Sequence, residues 1–197
     1  LHLLSRRQRQ MCIRDRECGV ALANVIFGEY NPGGKLSVTV PRNVGQIPCY
    51  YNKLIPGRAP DYYQSPVKPL YPFGYGLSYT RFEIRHLRVI SCDPTVEDDV
   101  ELAVDVANIG ARAGEEVVQL YVRDEISSLV RPEKELKGFQ RVFLEAGETR
   151  TLSFTLKNRD LAFWMDGGWV VEPGEFTVIA GNSSADEQAR CTFAVRG

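Results

Sequence analysis

Carboxylates are the side chains of this sequence with most chemistry to offer. Hydrolysis by a carboxyl pair needs one group protonated and one ionised, and a buried cleft is what drives two such pKa values apart. The acids at Glu29, Asp61, Asp93 and Asp166 fall in turns, and those at Glu101 and Asp105 fall on the polar faces of alternating strands. A solvated structural role is expected for each. Ser183-Ser184 sits in a turn with no base beside it, and the chain contains no GxSxG string. The five cysteines (Cys12, Cys18, Cys49, Cys92, Cys191) form no CxxC pair, and the histidines are His2 and His86. A zinc site and a disulfide framework are therefore not expected, and free, mostly structural thiols are. No glycine-rich phosphate loop occurs. The sequence predicts no catalytic residue, no metal ligand and no cofactor within the chain. Asn182-Ser183-Ser184 satisfies the N-glycosylation sequon, which matters only in a protein secreted by a eukaryote.

The elements that carry these residues are arranged around Tyr71-Pro72-Phe73-Gly74-Tyr75-Gly76-Leu77-Ser78-Tyr79-Thr80. Four aromatics and two glycines in one run predict an ordered hinge. The glycines permit tight turning and close backbone approach, and the rings supply buried contact area. Tyr71, Phe73, Tyr75 and Tyr79, with Arg131 and Pro132, are the candidate interdomain docking residues. Arg131 opens a loop expected to carry it away from the core, and arginine suits bidentate pairing with carboxylates across an interface.

Before the hinge, Glu17–Gly28 reads as a helix ending at glycine. Asn31-Pro32-Gly33-Gly34 is a turn, and Leu36–Val40 alternates as a short strand stopped by Pro41. Residues 42–70 hold Pro48, Pro56, Pro60, Pro66 and Pro69 with tyrosines at 50, 51, 62 and 63, which excludes helix and central strand. The tyrosines are expected to pack the loop on its neighbour rather than to touch substrate.

After Thr80 short strands repeat. Phe82, Ile84, Leu87 and Val89 mark the first. Val100, Leu102, Val104 and Val106 mark the second. Val117–Val122 is apolar on both faces except at Gln119, which places it in the centre of a sheet. Leu136–Leu144, Leu152–Leu156, Phe176–Ala180 and Cys191–Val195 follow. Strands at this spacing with Gly, Pro and Asn turns predict a mainly β protein, an antiparallel β-sandwich. Trp164 and Trp169, flanking Asp166-Gly167-Gly168, are expected as core or rim aromatics.

The formal net charge of -1 gives no case for nucleic acid or an anionic membrane as partner, and no apolar run reaches membrane-spanning length. Residues 1–16 carry five arginines after a short apolar stretch, the reverse of a secretory leader. The segment is expected to be non-native sequence or a disordered extension.

Several strings together resemble the C-terminal region of glycoside hydrolase family 3. In order they are FGEYNPGGKL from Phe27, VGQIP from Val44, the PFGYGLSYT run, Asn108-Ile109-Gly110, AGEEVVQLY from Ala113, RPEKELKGF from Arg131, EPGEF from Glu172 and Gly181-Asn182-Ser183-Ser184. The resemblance implies a remnant of an α/β sandwich domain over 17–41, a Pro/Tyr-rich linker over 42–77, and a fibronectin type III-like, immunoglobulin-like domain over 78–197. In that family a barrel domain carries the nucleophilic aspartate and the α/β sandwich usually carries the acid/base glutamate. Neither motif maps onto a residue here.

The resemblance implies a longer enzyme of β-glucosidase or β-xylosidase type, retaining, with two carboxyls ~5–5.5 Å apart. This chain would be inert alone, with the missing catalytic domains of the same polypeptide as its partner and a β-linked oligosaccharide or glycoside as the whole enzyme's substrate. A periplasmic or secreted location and a cytoplasmic one are both open. The competing reading is an independent β-sandwich module that binds carbohydrate or protein. Such a module has no use for the helix and tyrosine loop of 17–70. Residues 1–41 are expected to be poorly anchored to the sandwich.

Overall fold

The computed structural model describes residues 17–54 and 68–197. The basic segment, Cys12, His2, Asp61, Tyr62 and Tyr63 lie outside the described residues. Helix α1 (Cys18–Ile26) closes as expected, with Gly28 at φ 78° just past its end. Only a residue free to take that left-handed backbone ends the helix without strain. A single 3₁₀ turn spans Val44–Gln46.

Seven strands build the sandwich: β1 (Phe82–Val89), β2 (Val100–Asn108), β3 (Gly114–Asp124), β4 (Glu135–Leu144), β5 (Thr149–Leu156), β8 (Gly174–Gly181) and β9 (Ala189–Val195). Between β5 and β8 come a one-turn helix α2 (Asn158–Leu161) and a hairpin, β6 (Phe163–Met165) with β7 (Gly168–Val170). One sheet runs β1-β2-β5 and the other β4-β3-β8-β9, all antiparallel. This is a mainly β, fibronectin type III-like sandwich.

The core forms where alternating side chains of the two sheets meet. Ile84, Leu102, Val104, Val106, Phe154 and Leu156 come from one sheet, and Val118, Leu120, Leu144, Phe176, Val178 and Ala180 from the other; all are buried. Each apolar side chain removed from water contributes about 1.5–3 kcal/mol. Strand β3 lies between β4 and β8, as its two-sided apolarity requires.

Its outer face is covered by the chain that precedes the sandwich. Gln119 and Tyr121 point outward from the sheet and are nevertheless buried. Tyr51 stacks on Phe73 at 4.4 Å between ring centroids and meets Tyr121 edge-on at 5.8 Å. The tyrosine loop therefore packs on its neighbour through Tyr51.

One expectation changes and another narrows. Residues 36–40 do not form a ladder strand. Leu36 and Gly74–Tyr75 exchange backbone hydrogen bonds, Val40 makes an isolated bridge to Tyr71, and Val38 between them is exposed. The segment pairs at its two ends with the curved hinge, which cannot follow it as a straight partner. Of the two places expected for Trp164 and Trp169, core or rim, the core is excluded. They face each other across the β6–β7 hairpin, edge to face at 5.6 Å, and both are exposed. The three-residue strands are too short to carry their side chains back over the sandwich.

Candidate functional site

The junction between residues 28–40, the hinge and the sandwich is where polar side chains converge. Asn31 is its centre. Its Nδ2 donates to Ala113 O at 2.9 Å, and its Oδ1 accepts from Ser78 Oγ at 2.9 Å and from Tyr79 N at 2.8 Å. One side chain thereby ties the turn to the hinge and to the start of β3. Beside it, Lys35 Nζ lies 2.6 Å from Glu116 Oε1, with both side chains nearly buried. Glu116 also accepts from Val117 N at 2.7 Å. A buried ion pair with a further hydrogen bond is costly to break from one side, because the survivor is left uncompensated.

Gly33 and Gly76 are places of close approach. A Cβ on Gly33 would lie 2.9 Å from Glu115 O, and one on Gly76 would run into Gly34 O. The expectation that residues up to 41 hang loosely is corrected at this point. From Gly28 onward they are bonded to the sandwich, because the turn carries the donors and acceptors that β3 and the hinge leave open.

Gln119 forms the second knot. Its Nε2 donates to Gly74 O at 3.2 Å and to Asn182 O at 2.7 Å, while Tyr121 donates its hydroxyl to Oε1 at 2.6 Å. Burial pushes the Tyr121 hydroxyl well above the usual phenol range, so it stays a neutral donor. Ser184 N donates to Phe73 O at 2.9 Å. Ser183 and Ser184 are buried, and Asn182 is held through its carbonyl. The sequon is thus part of the packed junction.

The candidate docking residues separate into two groups. Tyr71, Phe73 and Tyr75 share the hinge, with Tyr71 tilted on Tyr75 at 5.1 Å and Phe73 stacked inward. Tyr79 donates its hydroxyl to Val25 O at 2.6 Å, tying down the end of α1, and Arg112 lies 5.7 Å over its ring while donating to Gly28 O.

Arg131 is elsewhere and does not project outward. It donates to Asp124 Oδ2 at 2.9 Å, Leu161 O at 2.9 Å and Glu135 Oε2 at 3.2 Å, and it covers the Phe163 ring at 5.4 Å. Its side chain is 11% exposed. The buried Asp124 carboxylate draws it inward; burial raises the Asp124 pKa above the ordinary range and the Arg131 bond opposes that. Pro132 bridges Leu54, at the entrance to 55–67.

Asp124 and Glu135 are brought together on the one Arg131 guanidinium, which fills the space between them where a reacting carboxyl pair would need to admit a sugar. Glu116 and Asp124 are the acids most withdrawn from water, and alternation in β3 had not been read for either. They lie eight residues apart on one strand, about 26 Å at ~3.3 Å per residue; Glu116 faces Lys35, and Asp124 shares Arg131 with Glu135. Asp105 is held below the usual range by the Thr151 hydroxyl and by His86 and Arg88. That Thr151 hydroxyl donates to Asp105 and not to the imidazole, so His86-Asp105 activates no nucleophile. Glu29, Asp93, Glu101 and Asp166 are exposed. Among the described residues there is no group of three or more His, Cys, Asp or Glu able to hold a metal ion.

The hinge, the NPGG turn and the sandwich thus form one connected unit, and its two parts match known families separately. Residues 10–79 match the glycosyl hydrolase family 3 C-terminal domain, and residues 116–184 match the fibronectin type III-like domain. The chain belongs to glycoside hydrolase family 3. Its periplasmic beta-glucosidase relative from Salmonella typhimurium is 44% identical over 86% of this chain and 24% of the relative. A beta-xylosidase of Formosa agariphila is 43% identical over 90% of this chain and 25% of the relative.

Solved family members superpose on the same unit. A b-glucosidase from Erythrobacter marinus has a TM-score of 0.86 at 44% identity, covering 90% of this chain and 24% of that one. The beta-glucosidase from Listeria innocua in complex with glucose has a TM-score of 0.84 at 38% identity, covering 91% and 26%. The chain spans about a quarter of the length of these relatives. The family match reaches back to residue 10, into the basic N-terminal segment.

Proposed function

We propose that this chain is the non-catalytic C-terminal part of an enzyme that hydrolyses terminal β-glycosidic bonds, of β-glucosidase or β-xylosidase type. Its role is to carry and dock the catalytic domains of the same polypeptide. The observation that carries this reading is the state of its acids. The two most withdrawn from water, Glu116 and Asp124, are each matched to a cation of the chain itself and stand a strand length apart. A retaining mechanism needs two carboxyls ~5–5.5 Å apart on either side of a sugar, so the reacting pair belongs to the catalytic domains. The clamp from Asn31 to Ala113, Ser78 and Tyr79 supports the structural role over an independent module. A free-standing sandwich gains nothing from a pre-sequence bonded so closely to β3. The hinge rings of Tyr71 and Tyr79 stay about half exposed and belong to the docking side.

The test is turnover of aryl β-glucosides and aryl β-xylosides. The chain alone should leave both at the buffer rate. Placed in the corresponding C-terminal quarter of the Salmonella periplasmic relative, it should support hydrolysis. Turnover by the chain alone that disappears on substituting one of its own acids refutes the proposal, as does a folded chimera without activity.

A further inference from the structure

We propose that the β6–β7 hairpin is a binding site for a soluble β-linked glycan of the twisted, xylan type, held on the outward faces of Trp164 and Trp169. The choice of a β-linked glycan rests on the functional reading above; the site rests on the hairpin itself.

The turn fixes where the two indoles stand. Met165 pairs with Gly168, which leaves Asp166 and Gly167 as a two-residue loop, and both have positive φ, 50° and 85°. Positive φ at both central residues is the type I′ turn, whose twist matches that of a hairpin. It sets the register in which Trp164 lies directly opposite Trp169. Successive side chains of a strand point to opposite faces. Phe163 is buried beneath the Arg131 guanidinium on one face of the hairpin, so the indoles stand on the other, 56% and 71% exposed.

Holding the hairpin together accounts for the contact between the rings and not for their exposure. A cross-strand pair of β-branched residues would serve a strand pair as well. The indoles meet edge to face, so the edge of one covers a single face of the other, and the pair leaves its remaining faces open. Among the described residues neither indole N–H has a hydrogen-bond partner, and the Asp166 carboxylate has none. A Cβ built on Gly167 or Gly168 would meet nothing within 4 Å, so the backbone of the turn is open as well. Apolar ring faces bordered by a few unpaired donors and acceptors are what recognition of a sugar requires. The C–H groups of a pyranose pack on an indole face, and its hydroxyls take the polar groups at the border.

Two observations choose the occupant. Asp166 is the one charge between Phe163 and Val170, so the hairpin offers no cation to an acidic partner and suits a neutral chain whose hydroxyls donate. The angle between the rings then chooses among neutral chains. Cellulose keeps its successive sugar rings in one plane and lies flat on coplanar aromatics. A β-1,4-xylan chain turns each ring about the chain axis relative to the last, and so presents successive C–H faces at an angle. Indole planes inclined at 81° fit the turned chain and not the flat one.

Trp164 and Trp169 are the only tryptophans of the chain, so tryptophan emission reports on this hairpin alone. The experiment titrates the whole 197-residue chain with a linear xylo-oligosaccharide, exciting beyond the tyrosine band, and measures affinity by calorimetry for the chain and for its Trp164→Val/Trp169→Val variant. Valine keeps the preference for strand while removing the rings. The parent's emission is expected to change along a saturable curve. The variant should melt with its parent and bind at least about tenfold more weakly, and a cello-oligosaccharide of equal length should bind the parent at least about tenfold more weakly than the xylo-oligosaccharide. Microcrystalline cellulose should not retain the chain. Sedimentation without sugar checks for a second copy on the same face.

An emission spectrum that millimolar xylo-oligosaccharide leaves unchanged overturns the inference; that arm needs no substitution, so it decides even where the valine pair unsettles the hairpin. Affinity that survives in a folded valine variant places the sugar elsewhere and overturns it too. Equal or tighter binding of the cello-oligosaccharide, or retention on microcrystalline cellulose, refutes the turned chain as occupant. A dimer that the substitutions dissolve assigns the face to a second copy and refutes the inference as well. Each of these results leaves the functional reading in place. Turnover of aryl glycosides by the chain alone removes that reading instead, and a saturable emission change stands without it.

Discussion

Replacing Gly74 by alanine tests how firmly the aromatic hinge is fastened to the sandwich. Gly74 has φ 79°, and a Cβ built on it falls 2.7 Å from both Cδ and Nε2 of Gln119. The left-handed backbone costs a non-glycine residue about 1–2 kcal/mol. The Gln119 side chain must also move, and its bonds to Gly74 O, Asn182 O and the Tyr121 hydroxyl are lost or stretched. Each is worth about 0.5–1.5 kcal/mol net, and more where a buried partner is orphaned. The expected loss for Gly74→Ala is about 3–5 kcal/mol, read by urea unfolding of the chain with Tyr and Trp fluorescence. The steric share is separable. In a Gln119→Ala background the clash is gone, so the same glycine substitution should cost only the backbone share, about 1–2 kcal/mol. A coupling energy of about 2 kcal/mol between the two sites is therefore expected from the double-mutant cycle. A loss below about 1 kcal/mol in the parent background, or strict additivity, refutes the claim that this knot holds hinge to sheet.

Three further outcomes follow from the same geometry. Lys35→Met should cost about 3–5 kcal/mol by leaving the Glu116 carboxylate buried without its cation, and adding Glu116→Leu should recover much of it; equal losses in the single and double variants contradict the pairing. Amide exchange at Tyr79, whose N–H bonds Asn31 Oδ1, should slow to the level of β3 and accelerate by at least about tenfold in Asn31→Ala, a change of ~1.4 kcal/mol; an unprotected Tyr79 amide in the parent would count against the clamp. Burial raises the Cys191 thiol to about 11, so alkylation at pH 8 should take the exposed Cys92 first. The raised folded value means the stability that Cys191 contributes is complete below pH 9 and is lost as pH rises through 9–11; a Cys191→Ala chain with the same alkaline slope as the parent disproves this.

Much of the sandwich was legible because alternation records which side chains face a core. Val100, Leu102, Val104 and Val106 gave β2 directly, and the apolarity of both faces of Val117–Val122, interrupted at Gln119, placed β3 in the centre of its sheet. The same alternation held an unread signal. Glu116 and Asp124 share the parity of Val118, Leu120 and Val122, so both fall on the inward face. An acid at an inward position implies a cation, but the partner is 81 positions back for Glu116, at Lys35. No local pattern carries a contact of that span. Arg131 was misjudged for the complementary reason. Its loop sequence suggested exposure, and only the position of Asp124 shows why it turns inward. The Leu36–Val40 alternation was real, but its partner is the curved hinge, so pairing occurs at Leu36 and Val40 and not along the run.

The pattern of bonds also moves the mechanical boundary of the molecule away from the boundary its motifs suggest. The motifs change character near residue 78, where the hinge ends and the strands begin. Yet Asn31, Lys35, Gly74 and Gln119 bind residues 28–40 and 71–75 to β3, and Tyr51 carries the same interface further into the linker. The unit that resists deformation therefore begins close to Gly28. Helix α1, held at its C-terminal end, lies at its margin. In the docking role proposed for the chain, a force on α1 is transmitted through Tyr79 and Arg112 into β3 before the linker can bend. A sandwich joined by a loose tether could hold catalytic domains only by proximity; one whose clamp reaches back to the helix can fix their orientation.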